Sequence, residues 1–106
     1  MELELSVIIP AYNEETDIAA CIRAVREFLE KNSISHEIIA VDDGSTDATL
    51  ERIREISAGE PLIRALTNGR NRGKGYTVRH GVMESRGNLV LFTDVDLSTP
   101  IHEYYS

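Results

Sequence analysis

Cysteine is nearly absent from this chain. Cys21 is the only one, which excludes an internal disulfide framework and a cysteine-rich zinc site. Long apolar runs are missing too: none approaches the roughly 18 residues of a membrane-spanning helix, and no charged-then-apolar leader opens the chain. Positive charge is scarce, with 11 Lys and Arg against 18 Asp and Glu and a net charge of −7. That balance argues against non-specific binding to nucleic acid, which needs a basic field. There is no internal repeat, low-complexity segment or linker. These absences predict a soluble segment suited to a reducing, cytoplasmic setting, or to the cytoplasmic face of a membrane in a longer protein. What is present is 106 residues, 42% of them hydrophobic, enough for one small domain with a core.

The pattern along the chain alternates. Residues 5–9 form a β-branched run stopped by Pro10, which reads as a buried parallel-type strand. Over residues 16–31, Ile18, Cys21, Ile22, Val25, Phe28 and Leu29 fall at helical spacing, with Thr16 or Glu15 near the start and Asn32 closing the helix. Residues 37–41 give a second strand, and the helix after it runs to Ser57 with Leu50, Ile53 and Ile56 facing inward. A weaker third strand covers 61–66. A helix covers 73–86, with Val78, Val82 and Met83 as its apolar residues and Gly87 as its stop. Residues 88–93 make a fourth strand. The order β-α-β-α-β-α-β predicts an α/β fold: a mainly parallel sheet between helical layers, with right-handed crossovers. In such sheets ligands bind beyond the carboxyl ends of the strands.

Chemistry-bearing residues collect at those ends. Asp94 and Asp96 follow an apolar run two residues apart, so an extended backbone aims both at one spot. Two like charges that close call for a cation between them, and Mg2+ takes one or two carboxylates together with phosphate oxygens. Asp42, Asp43 and Gly44 close the second strand; Asp43 can accept from a base N–H or a ribose hydroxyl, and Gly44 lets the backbone turn. Ser45, Thr46 and Asp47 read as turn and helix-cap residues. Tyr12 can stack on a flat base, Glu14 can line the pocket, and Glu15 suits a helix start. Residues 68–75 form a basic, glycine-rich loop entering a helix, where Lys74, with Arg72 beside it, suits a diphosphate. That loop has neither P-loop nor dinucleotide glycine spacing, and no G-x-G-x-x-G follows the first strand. His36, His80 and His102 are scattered and read as surface or local hydrogen-bonding residues. Cys21 reads as core filling.

Taken in order, residues 7–15 (VIIPAYNEE), 41–47 (VDDGSTD), 71–75 (NRGKG) and 94–100 (DVDLSTP) resemble the nucleotide-binding half of family 2 glycosyltransferases of the GT-A fold, over nearly the whole chain. The last two motifs are similar more narrowly to dolichyl-phosphate β-glucosyltransferases and their bacterial polyprenyl-phosphate relatives. The resemblance implies a Rossmann-like GT-A half, with residues 1–106 as the N-terminal nucleotide-sugar-binding portion of a longer domain. It implies that Pro10, Ala11, Tyr12 and Glu14 line the nucleoside pocket, that Asp43 holds the base and that Lys74 approaches the phosphates. Asp94 would contact ribose or metal, and Asp96 would bind Mg2+ or Mn2+. The implied reaction is inverting transfer of a sugar from a nucleotide diphosphate sugar such as UDP-glucose, with a polyprenyl or dolichyl phosphate as candidate acceptor. No catalytic base is identified; one is expected beyond residue 106, and the segment alone is expected to be inactive. An incomplete sheet would leave an unpaired edge, so self-association is a further expectation. Two other readings stand beside this one. A nucleotidyltransferase would carry its basic loop after the first strand, where Ala11, Tyr12, Asn13, Glu14 and Glu15 stand instead. A non-catalytic module could use the same scaffold for nucleotide binding or assembly.

Overall fold

A computed structural model describes residues 2–95. Its elements are β1 (Leu3–Ala11), α1 (Ile18–Lys31), β2 (His36–Asp42), α2 (Thr49–Ser57), β3 (Ile63–Thr67), α3 (Lys74–Glu84) and β4 (Gly87–Phe92). The four strands form one sheet in the order β3-β2-β1-β4, and every pairing is parallel. The fold class read from the sequence is the one observed.

Chain direction explains the layers. From β1 the chain steps to β2 and then to β3, so right-handed crossovers put α1 and α2 on one face. It then returns past β1 to β4, and α3 covers the opposite face, against β1 and β2. The larger core lies on the α1–α2 side. There Ile18, Cys21, Ile22, Val25 and Leu29 of α1 and Ile53 of α2 pack with Leu5, Val7, Ile9, Ile38 and Ile63 of the sheet. Each such side chain contributes about 1.5–3 kcal/mol when buried. On the α3 side the buried cluster is Ile8, Ile39 and Val41, with Leu66 against it.

The α3 contact is made by small residues. Thr77 and Gly81 are its buried positions, and a Cβ on Gly81 would meet Ile8 Cγ2 at 2.5 Å. The apolar Val82 and Met83 point outward, Met83 with 72% of its surface exposed. Apolar spacing therefore locates this helix but not its packed face.

Several boundaries move for physical reasons. Strand β1 runs through Pro10, which pairs with Val41. Ile8 accepts from the Thr93 N–H on the β4 side, and Pro10 has the same orientation two residues on. The register with β4 ends at Ile8 and Phe92, so the missing proline N–H costs no ladder bond. The third strand starts at Ile63, after a turn containing Pro61. Helix α3 ends at Glu84, before Gly87, which is the first residue of β4 rather than a helix stop. A Cβ on Gly87 would lie 2.6 Å from the Ser6 backbone nitrogen. Asn32 closes α1 as expected, its side chain donating to the Phe28 carbonyl at 2.8 Å.

Candidate functional site

At the carboxyl edge of the sheet a cleft of about 290 Å³ opens between the ends of β1, β2 and β4 and the start of α3. The first strand and its loop supply Pro10, Ala11, Tyr12 and Glu14. Asp43 comes from the end of β2, Lys74 from the first turn of α3 and Asp94 from just after β4. All seven residues named from the sequence for nucleotide contact thus line one cleft. Asp96, expected to bind metal, lies outside the described residues, as does His102.

The rim is fixed by stitching between two loops. The Asn13 N–H donates to Ser45 Oγ (2.9 Å), and Asn13 Oδ1 accepts from the Thr46 N–H (2.8 Å). The Glu14 N–H donates to Thr49 Oγ1 at 2.8 Å. Asp47 accepts from the N–H and hydroxyl of Thr49, capping α2. Ser45, Thr46 and Asp47 are therefore turn and cap residues, as the sequence suggests. Glu15 caps the neighbouring helix instead of its own, accepting from the Ala48 N–H at the start of α2. These bonds hold Tyr12 at the edge of the cleft, where 44% of its surface is exposed.

The two adjacent aspartates do different things. Asp42 is turned into its own turn, accepting from the N–H groups of Gly44 and Ser45 and from Thr67 Oγ1. Asp43, only 5% exposed, gathers the basic loop. Its Oδ1 accepts from Asn68 Nδ2 (2.8 Å) and the Arg72 N–H (2.7 Å). Its Oδ2 accepts from the Gly73 N–H (3.0 Å) and Asn71 Nδ2 (3.1 Å). Burial alone would raise the Asp43 pKa, but these bonds outweigh it and hold the carboxyl below its ordinary value. Gly44 completes the junction. Its φ of +71° suits glycine, and a Cβ there would meet the Arg70 carbonyl carbon at 2.2 Å. The Asp-Asp-Gly sequence and the basic loop are thus one packed unit.

Lys74 stands across the cleft from that unit. Its Nζ lies 2.6 Å from Asp94 Oδ1, with both side chains more than half exposed (57% and 54%), and 5.6 Å from the centre of the Phe92 ring. Arg72 instead lies over the Tyr76 ring at 4.9 Å and does not line the cleft. Cys21 is buried beneath. Burial, with the nearby Glu14 charge adding to it, pushes its thiol up to about 11, so it is inert core filling.

Asp94 could take a cation shared with a ligand once it releases Lys74. Among the described residues no group of three His, Cys, Asp or Glu side chains could hold a metal. A half-exposed Asp94 at a cleft mouth leaves most of a coordination sphere to ligand oxygens and water, which fits Mg2+-type binding better than an all-protein cage.

Sequence reasoning missed Thr77 as a lining residue, and it did not assign Asn71 or Gly73 a place in the cleft wall. Thr77 follows Lys74 by three residues on a helix, which puts both on one face; that spacing was the available signal.

Comparison with known proteins agrees with this architecture. The sequence profile of Glycosyl transferase family 2 matches residues 6–104. A dolichyl-phosphate beta-glucosyltransferase of Drosophila melanogaster is 41% identical, over 96% of this chain and 33% of its own length. The mannosyltransferase PcManGT of Pyrobaculum calidifontis, solved with GDP-Man and Mn2+, superposes with a TM-score of 0.77 at 26% identity, over 91% of this chain and 28% of that one. TarS of S. aureus, solved with UDP-GlcNAc, gives a TM-score of 0.73 at 30% identity, over 89% and 27%. The chain spans about a third of the length of the curated relatives it matches.

Proposed function

The chain belongs to glycosyl transferase family 2, and from that premise we propose that it forms the donor-binding half of an inverting sugar transferase. The donor would be a nucleotide diphosphate sugar, UDP-glucose or a similar compound. The acceptor would be a lipid phosphate of the polyprenyl or dolichyl kind. The observation that carries this reading is the convergence of Tyr12, Asp43, Lys74 and Asp94, from four separate stretches of chain, on one cleft at the carboxyl edge of a parallel sheet. The dolichyl-phosphate activity named for the Drosophila relative supports the acceptor, and the nucleotide sugars in the solved neighbours support the donor.

Each side chain has a task in this reading. Tyr12 offers a ring for the base, beside Pro10 and Ala11, and Glu14 lines the nucleoside pocket. Asp43 faces the base and holds the loop that presents Lys74. Lys74 and the amides at the start of α3 face the diphosphate. The acceptor oxygen attacks the anomeric carbon from the side opposite the leaving diphosphate. Negative charge grows on that diphosphate as the bond breaks, and Lys74 stabilises it as a fixed cation. Asp94 and Asp96 would hold Mg2+ or Mn2+, which supplies Lewis-acid stabilisation of the same phosphate oxygens. Mn2+ in the PcManGT structure supports a divalent ion. A lipid phosphate, with a second pKa of about 6, is largely ionised at neutral pH and needs little help from a base; a base for any other acceptor is expected beyond residue 106.

No described helix is long and apolar enough to cross a membrane. Work on lipid phosphate would place the whole protein at the cytoplasmic face of a membrane. Among the described residues strand β4 has β1 as its only sheet neighbour, with Leu89, Val90 and Phe92 exposed, so the isolated segment would self-associate along that edge and lack transfer activity.

Calorimetry and transfer assays on the whole protein test the reading. A charge-assisted contact is worth about 1.5–3 kcal/mol, so Lys74→Ala should weaken donor binding roughly ten- to hundred-fold. Asp96→Ala should abolish metal-dependent transfer. Full metal-dependent activity in Asp96→Ala, or unchanged donor affinity in Lys74→Ala, would overturn the assignment.

A further inference from the structure

From Asp43 a directed chain of hydrogen bonds runs through Asn68 to His80, two residues that the donor reading does not use. Asn68 Nδ2 is 2.8 Å from Asp43 Oδ1 and 2.9 Å from Thr77 Oγ1. An ionised carboxylate only accepts, so the Asn68 atom facing Asp43 must be the amide NH2. Its other atom is then the carbonyl oxygen, which lies 2.7 Å from His80 Nδ1. His80 must therefore carry a proton on Nδ1 and donate it. The second Asn68 hydrogen goes to Thr77 Oγ1, whose own hydrogen goes to the Gly73 carbonyl at 2.7 Å. Gly73 is thus held at both ends, its N–H by Asp43 (3.0 Å) and its carbonyl by Thr77. The next residue is Lys74. Asp43, which can only accept, sets the direction of the bonds in this ring, and His80 donates into it from outside.

We infer that His80 is a positioning residue: through Asn68 it sets the Asp43-bound loop and so the placement of Lys74 in the cleft. An imidazole with its proton on Nδ1 locks the Asn68 amide in the orientation that Asp43 demands, and that orientation supplies donors to Asp43 and Thr77 together. Turned over, the amide would aim its oxygen at the Asp43 carboxylate, which repels it. The consequence for the loop stands on hydrogen-bond geometry alone; the consequence for donor binding rests on the proposed function.

Two substitutions separate the Nδ1 donor from mere bulk. The amide nitrogen of asparagine sits near the Nδ1 position of histidine and that of glutamine near Nε2, so His80→Asn keeps the donor and His80→Gln removes it. Hydrogen exchange of the Arg72 and Gly73 amides, read by NMR, should be at least ten-fold faster in His80→Gln and within about two-fold of wild type in His80→Asn. In the whole protein, His80→Gln should lower kcat/KM for donor five- to ten-fold, with kcat falling as well as donor affinity, and His80→Asn should restore both. Equal damage from both substitutions, or unchanged exchange in His80→Gln, overturns the inference. A loosened loop with unchanged kcat/KM, while Lys74→Ala still weakens donor binding, overturns the positioning role. If Lys74→Ala also leaves donor binding intact, the donor reading fails, and faster exchange in His80→Gln alone still supports the loop's dependence on His80.

Discussion

One buried acid sits near the start of β2 and another just past its end, and the two make an instructive pair. Glu37 and Asp43 are an even number of residues apart and so share the face covered by α3. Glu37 accepts from Ser6 Oγ (2.7 Å), the Arg86 N–H (2.6 Å) and Arg64 Nη1 (3.2 Å). Arg64 also donates to the Glu84 carbonyl at 2.6 Å, so this cluster fastens the end of α3. Asp43 fastens the start of the same helix through the Arg72 and Gly73 amides. For both acids burial opposes ionisation and hydrogen bonds outweigh it, leaving both pKa values lowered. A depressed pKa therefore marks a well-satisfied carboxylate and does not by itself tell a ligand-facing acid from a structural one. What separates them is space: Asp43 borders the cleft, while Glu37 is 2% exposed and pressed against Arg64.

The largest effect that tests this contrast is loss of the sealed acid. Glu37→Ala leaves Arg64, 20% exposed, without its buried partner, which should cost about 3 kcal/mol of stability in urea unfolding. Nucleotide binding by the folded population should stay at the wild-type level. A drop in donor affinity at constant fold would erase the distinction between the two ends.

Next comes Gly44→Ala, which drives a methyl into the Arg70–Asn71 backbone at a φ of +71°. Overpacking and backbone strain together should cost about 2 kcal/mol. Here donor affinity should fall as well, because the displaced loop carries Lys74. Thermal unfolding and calorimetry on one preparation read both effects.

The smallest effect is on acid stability. Both folded pKa values lie below the unfolded references, 4.5 for Glu37 and 3.8 for Asp43. The unfolded chain therefore binds more protons as pH falls. The stabilisation from each acid is complete above its reference value and is lost as pH drops through the folded-state value. Urea midpoints should decline below about pH 4.5. Glu37→Gln and Asp43→Asn should each flatten that decline, and a slope unchanged in both would show that neither acid is held ionised by its bonds.

The sequence made the frame legible because strand and helix periods are local properties. Apolar spacing marked α1 by its buried face, and the clustering of Asp43, Lys74 and Asp94 at strand ends placed them on one edge once the sheet was parallel. The seven described cleft residues were accessible for the same reason. Local reading failed where contact replaces pattern. Nothing in the period of residues 74–84 says that Gly81 and Thr77, rather than Val82 and Met83, meet the sheet; that follows from how closely α3 approaches Ile8. Glu15 capping α2 and His80 orienting Asn68 are likewise relations between distant segments. His80 read as a surface or local hydrogen-bonding residue; it bonds Asn68, and through that one side chain it reaches Asp43 and Thr77 in the cleft wall.

The ion pair of Lys74 with Asp94 has a consequence for the order in which ions enter. Among the described residues Lys74 and Asp94 neutralise each other, so under the proposed function a phosphate arriving alone must draw Lys74 from Asp94, and a cation arriving alone must draw Asp94 from Lys74. A nucleotide already chelated to its counter-ion can exchange both partners in one step, each released charge passing to an opposite one. A pair this exposed is worth less than about 1 kcal/mol, so it gives way at little cost to a complex that offers each side chain an opposite charge.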